Sequence, residues 1–250
     1  MTTPILQLQN LKKIFTRNGQ SDFLAVDGVS FDISAGECVG LIGESGSGKS
    51  TVANMIARLL DPTEGRILLD GEDVTDVEAR QIFRTVQMIF QSPQESFDPR
   101  RTLGDGIGES LLNVGRSRAQ VRTEVDRLLE AVGLPPDFAR RYPHEVSGGQ
   151  CQRAAIARAL AIEPKLLLCD EATSALDVTV QAEIVDLLSR LIRGRGMACL
   201  FICHDIALAQ SFCDRLLVMH RGKIVEEGPP DEIVQSPKQE YTKMLIDSVL

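Results

Sequence analysis

The stretch GESGSGKST, Gly43 to Thr51, constrains this chain more than any other. It follows the apolar run CVGLI (Cys38 to Ile42) and leads into an apolar-periodic segment, Thr51 to Leu60. The spacing G-x-x-x-x-G-K-[ST] puts Gly43, Gly48, Lys49 and Ser50 where a strand–loop–helix unit wraps a chain of phosphates. Gly43, Gly46 and Gly48 let the backbone of Glu44, Ser45 and Ser47 turn tightly and gather N–H groups round an anion. Lys49 supplies a mobile point charge for the outer phosphates, and Ser50 offers a hydroxyl to Mg²⁺. Thr51 begins a helix whose positive end faces the same anion. A flexible Gly/Ser linker would share the composition. A chance match to the full pattern in a chain this long is on the order of 1 %. The reading is a nucleoside triphosphate site.

Composition removes several alternatives. At 250 residues, 43 % hydrophobic, the chain suits one large domain or a domain with an inserted lobe. A net charge of −8 does not suggest a nucleic-acid partner. No apolar run approaches the ~20 residues of a membrane helix, and MTTPILQLQN lacks a charged-then-apolar leader pattern. The expectation is a soluble protein that meets a membrane only through a partner. Cys38, Cys151, Cys169, Cys199, Cys203 and Cys213 form no Cys-x-x-Cys pair, and read as reduced core thiols.

Periodicity sets the order of elements. ILQLQNL (Ile5 to Leu11) and GVSFDI (Gly28 to Ile33) alternate as half-buried strands, with TRNGQSD between them as a loop. RILLDG (Arg66 to Gly71) and VQMIFQ (Val86 to Gln91) are further strands. From Ser92 to Val146 the character changes: a Pro-rich polar stretch precedes helical patterns at Leu103 to Val114 and Arg118 to Val132, stopped by GLPP. Alternation then resumes, with helix Gln150 to Ala161, strand KLLLCDE, helix Val178 to Arg193, strand ACLFICHD and helix Ile206 to Phe212. An antiparallel pair, RLLVMH and GKIVEEG, and two short helices follow. The predicted fold is α/β: a mainly parallel sheet with flanking helices, an antiparallel β layer near the N-terminus, and an inserted helical subdomain. Residues 1–91 and 147–250 would form the core and residues 92–146 the insertion, in a single domain.

Two further stretches carry chemistry. LLLCDE ends a buried strand with Asp170 and Glu171. Placed next to the phosphate-loop strand, Asp170 could hold Mg²⁺, commonly through water, while Glu171 on the other side could orient and deprotonate an attacking water. VSGGQ offers Ser147 as an N-cap, with Gly148, Gly149 and Gln150 opening a second anion-facing helix. One chain has no evident need for two phosphate cradles. The second makes sense if it serves the nucleotide of another subunit.

These motifs, in this order over essentially the whole chain, resemble the ATP-binding cassette (ABC) ATPases. VSGGQ is similar to their signature, with Val146 where Leu is usual. Gln91 matches the Q-loop glutamine, a Mg²⁺ and water contact. Ser174, Ala175, Leu176 and Asp177 match the D-loop that links paired sites. His204 matches the switch histidine that touches the γ-phosphate, with Cys203 where Thr is commoner. Phe15 lies where an aromatic stacks on adenine, a core position at a strand end being the alternative. The resemblance implies head-to-tail pairing, each ATP lying between one phosphate loop and the opposite signature. Glu171 would then be the general base, with Lys49, Gln91 and His204 beside it.

The stretch FQSPQESFDPRRTLGDGIGESL (Phe90 to Leu111) looks like the ATPases of bacterial dipeptide, oligopeptide and nickel importers, and EYTKMLI (Glu240 to Ile246) resembles their tail, with Glu240 replacing Pro. What this implies is a peripheral subunit on the cytoplasmic face of the inner membrane, paired with a second ABC ATPase. It would drive a separate permease fed by an extracytoplasmic solute-binding protein. A permease helix would dock in a groove lined from Gln91 to Arg101. The short tail, without a late cysteine cluster, leans toward nickel or a metal chelate rather than a peptide as cargo. An exporter ATPase or a non-transport regulator is the alternative.

Overall fold

The structure is a computed structural model and describes residues 3–16, 22–173 and 176–248. The chain begins with two long strands, β1 (Leu6–Phe15) and β2 (Phe23–Ile33), and then β3 (Cys38–Ile42), which feeds the phosphate loop and α1 (Lys49–Ile56). After these come β4 (Glu64–Leu69), β5 (Glu72–Asp73), α2 (Ala79–Ile82) and β6 (Val86–Ile89). The helices α3 (Leu103–Asn113) and α4 (Arg118–Ala131) are followed by short 3₁₀ turns and α5 (Gly148–Leu160). The remainder alternates β7 (Leu166–Asp170), α6 (Val178–Arg195), β8 (Ala198–Ile202), α7 (Ile206–Phe212), β9 (Arg215–His220), β10 (Lys223–Gly228), α8 (Pro230–Gln235) and α9 (Glu240–Asp247).

Two sheets result. The four-stranded sheet, β2-β1-β4-β5, is antiparallel, so the N-terminal layer recruits strands from both sides of the phosphate loop. The six-stranded sheet runs β10-β9-β3-β8-β7-β6; β9, β3, β8, β7 and β6 are parallel, and β10 pairs antiparallel at one edge. The central strands β3 and β8 are buried at every residue, as expected of parallel strands covered on both faces. One apolar cluster packs α1 between the two sheets. The other covers the opposite face with α5, α6 and α7 and continues into the α3–α4 lobe.

Two expectations are corrected. The strand ending in Asp170 is not next to the phosphate-loop strand: β8 lies between β3 and β7. The helix read as Thr51 to Leu60 starts earlier and stops at Ile56, because Arg58 turns left-handed with φ 56°. Its guanidinium is held there by the Val77 carbonyl at 3.0 Å and Asp61 at 2.9 Å. All six cysteines are buried free thiols. No helix among the described residues is long and apolar enough to cross a membrane.

Candidate functional site

The phosphate loop is held from behind by the β9–β10 turn. A side chain on Gly43 (φ 150°) would lie 2.2 Å from the Met219 carbonyl oxygen, and one on Gly48 (φ 110°) 2.5 Å from that of Ala25, so neither position admits a Cβ. The Gly222 N–H donates to the Ser47 carbonyl at 2.9 Å, tying the loop to that turn. Sequence patterning showed a β9–β10 pair but not that it forms the loop's wall. Glu44, Ser45 and Gly46 are exposed at the rim, whereas Ser47 and Lys49 are buried. Gly48 is the N-cap of α1, which opens with Lys49, Ser50 and Thr51.

Lys49 Nζ donates to the carbonyls of Gly43 (2.7 Å) and Glu44 (2.8 Å). Burial lowers its pKa, while Glu171, Cys203, Asp170 and Glu44 pull it back up. A buried ammonium beside a glycine-rich turn at a helix start suits a polyphosphate. Ser50 Oγ donates to Asp170 Oδ1 at 2.9 Å. Although β7 is one strand removed from β3, its last residue still reaches the first turn of α1, because both strands end at the same edge of the sheet. Burial raises the Asp170 pKa, the Ser50 bond lowers it, and the charge of Glu171 adds to the rise. A hydroxyl and a carboxylate converging beside a phosphate cradle form the hard-oxygen pair that Mg²⁺ prefers, few in number and open to water and phosphate oxygens.

Glu171 is separated from Asp170 by a backbone twist. Its φ is 47°, left-handed, and its N–H donates to the Ile202 carbonyl at 3.0 Å. Glu171 Oε2 accepts from Gln91 Nε2 at 2.9 Å. The ends of β6 and β7 therefore bring the glutamine and the second carboxylate together. His204 is exposed just past β8, and Asp205 N-caps α7 through the Leu208 N–H at 3.0 Å. Phe15 is half-buried at the end of β1, paired across the sheet with Phe23, with Lys13 Nζ 5.3 Å from its ring centroid.

VSGGQ forms its own cap. Ser147 Oγ accepts from the Gln150 N–H at 3.3 Å, and Gln150 Oε1 accepts from the Ser147 N–H at 3.0 Å. Val146 is buried and anchors the turn. Gly148 and Gly149 lie against Leu176 and Val180; a Cβ on Gly149 would sit 2.8 Å from Val180. Asp177 N-caps α6 through the Val180 N–H at 3.0 Å. Of the four residues expected to form a D-loop, Leu176 adjoins the Ser147–Gln150 turn and Asp177 caps the helix beside it, while Ser174 and Ala175 lie outside the described residues.

A cavity of about 920 Å³ opens on the helical lobe, lined among others by Arg101, Thr102, Asp105, Arg118, Arg122 and Arg140. Of the stretch expected to receive a permease helix, only Arg101 lines it.

Comparison with known proteins agrees with this geometry. A protein-family model described as ABC transporter matches residues 26–174. The oligopeptide transport ATP-binding protein OppF of Bacillus subtilis is 43 % identical over 255 residues, covering 100 % of this chain and 83 % of that protein. OppF of Salmonella typhimurium is 46 % identical, covering 90 % of this chain and 69 % of that protein. A putative peptide import ATP-binding protein of Brucella ovis is 44 % identical, with 99 % and 79 % covered. Among solved structures, the dimeric post-hydrolysis state of the ATP-binding cassette MJ0796 bound to ADP and Pi superposes with a TM-score of 0.82. It is 32 % identical and covers 90 % of this chain and 98 % of that one. CbiO1 of Clostridium perfringens, part of the transporter complex cbiONQ, also gives 0.82, at 28 % identity with 94 % and 92 % covered. The phosphate loop, the two strand-end carboxylates and the shared architecture have one source: this chain belongs to the ABC transporter family and is one of its ATP-hydrolysing cassettes.

Proposed function

We propose that this chain hydrolyses ATP at the cytoplasmic face of a membrane to drive peptide uptake through a separate permease, working as half of an ATPase dimer. The observation that carries the reading is the division of labour between adjacent acids, Asp170 bonded to Ser50 and Glu171 to Gln91. In this reading the loop from Gly43 to Thr51, with Lys49, binds the triphosphate. Ser50, Gln91 and Asp170 would hold Mg²⁺, which when bound offsets phosphate charge. Glu171, turned away from Asp170, accepts the proton of the attacking water, a contribution of roughly 10²–10⁴ in rate. Gln91 keeps that carboxylate at the mouth of the site. His204, exposed at the same sheet edge, contacts the γ-phosphate. Phe15 stacks on the adenine.

Peptide is the cargo favoured by the relatives, which are oligopeptide transport or putative peptide import ATP-binding proteins by name. The lean toward nickel rested on the short tail. Relatives with peptide-transport names match this chain at 43–46 % identity, and that likeness outweighs the tail. The test is ATP hydrolysis by the purified chain, alone and reconstituted with a candidate permease and binding protein in vesicles. Peptide uptake that depends on this subunit and on ATP is expected. Uptake of a nickel chelate but no peptide would reassign the cargo, and no hydrolysis in any assembly would end the reading.

A further inference from the structure

The run EYTKMLI reaches the nucleotide loop from the far end of the chain. The Glu44 N–H donates to the Tyr241 hydroxyl at 3.1 Å, across 197 positions of sequence. The Tyr241 ring is stacked on His220, with centroids 3.7 Å apart and planes inclined by 6°. His220 ends β9, one residue after Met219, whose carbonyl backs Gly43. The tyrosine is thus braced against the strand that walls the loop.

The helix that carries Tyr241 is fixed at its start by a borrowed cap. Gln239, the N-cap of α9, makes no side-chain cap bond. Instead Glu226 of β10 accepts from the Lys238 N–H (2.7 Å) and the Gln239 N–H (3.0 Å) through its two carboxylate oxygens. Burial works to raise the Glu226 pKa, but Thr242 and these backbone bonds outweigh it and hold the carboxyl below its ordinary value. Glu226 is 9 % exposed, and beyond Tyr241 the helix seats Leu245 and Ile246 in the core. A helix held this way is a strut, and its polar tip meets the loop.

Glu44 is gripped on both sides of its residue. Its carbonyl accepts from Lys49, and its N–H donates to Tyr241. The two grips differ in kind. The Lys49 ammonium is the charge a polyphosphate will compete for, so its hold on the loop carbonyls is exchangeable. The Tyr241 bond is made to a neutral hydroxyl, which carries no charge for phosphate to compete for. We propose that Tyr241 is a positioning residue for the nucleotide site: braced by His220 and the α9 strut, it holds the Glu44 amide so that the phosphate loop is pre-formed when the triphosphate arrives. Pre-forming the loop removes ordering entropy from the binding step, so the effect falls on affinity. The proposal rests on the reading of Gly43 to Thr51 as the ATP site.

The test uses the full chain and ATP with Mg²⁺, measured by calorimetry, with amide hydrogen exchange and the melting temperature of the nucleotide-free protein. Tyr241→Phe keeps the ring and its stack and removes only the acceptor. It is expected to weaken ATP binding about two- to tenfold, the range for one neutral hydrogen bond. It should also speed exchange at the Glu44 amide, with exchange in the core strands unchanged. His220→Ala, which removes the brace, should move both readouts the same way, and Lys243→Ala on the exposed face of α9 should move neither. Wild-type affinity in Tyr241→Phe, or a loss matched by faster exchange throughout the core, would overturn the proposal. If wild type itself bound no ATP, and Lys49→Ala changed nothing, the ATP reading would fail and take this proposal with it.

Discussion

Asp170 shows how the site is built against the fold's own stability. Its carboxylate is partly desolvated at the end of β7, and burial raises its pKa despite the Ser50 bond. A carboxyl whose folded pKa lies above its unfolded value favours folding when protonated, and that contribution is lost as pH rises through the folded pKa. At neutral pH the charge is therefore a cost in the nucleotide-free protein. Asp170→Asn should melt at a higher temperature than wild type at neutral pH while losing ATP hydrolysis. The gain should shrink toward about pH 4, where ordinary carboxyls begin to protonate. A lower melting temperature at neutral pH would contradict the burial argument. The neighbouring residue carries a conformational cost instead. Glu171 in the left-handed region stores roughly 1–2 kcal/mol, and the twist is what lets two consecutive acids face different partners.

At the scale of elements, the segment after Gln91 is a loop with a buried anchor and an exposed tip. Phe97 is buried, packed on Gly106 of α3 and covered by the Arg158 guanidinium, 4.5 Å from its ring centroid. Arg158 also donates to the Ser96 carbonyl, so α5 grips the stretch that follows Gln91. The tip is an exposed ion pair, Asp98 with Arg100 at 3.1 Å. Such a pair adds little to stability, which leaves it free for contact with a partner. Replacing both, Asp98→Ala with Arg100→Ala, should leave the melting temperature and the soluble ATPase rate in place while transport in vesicles falls severalfold. Unimpaired transport would remove this tip from the permease contact. The sequence showed the lobe's helices through their periodicity. It could not show the Phe97–Arg158 contact, which joins residues 61 positions apart through a loop with no pattern of its own.

At the scale of the molecule, the Ser147–Gln150 turn engages its hydroxyl oxygen and amide in its own cap, and it abuts Leu176 and Val180. Val178, beside Asp177, is an 81 % exposed aliphatic residue at the start of α6, where a second cassette would cover it. A site completed by another subunit should trap that partner when ATP cannot be cleaved. Glu171→Gln should keep ATP binding, stop turnover, and shift the chain to a dimer with ATP by light scattering. Near-normal hydrolysis by this variant would remove Glu171 from the role of base.

What the sequence determined by itself is everything that depends on local spacing. The phosphate loop, the buried strands, the amphipathic helices and the Ser147–Gln150 cap each lie within a few residues, where sterics and hydrogen bonding are set by neighbours. What only the tertiary structure decided is adjacency. It inserted β8 between the strands of Gly43 and Asp170, joined Gln91 to Glu171, and brought Tyr241 and Met219 against the loop. Those contacts depend on strand order and on which helix end meets which sheet edge. They are set by burying the whole core at once, and no window of sequence contains them.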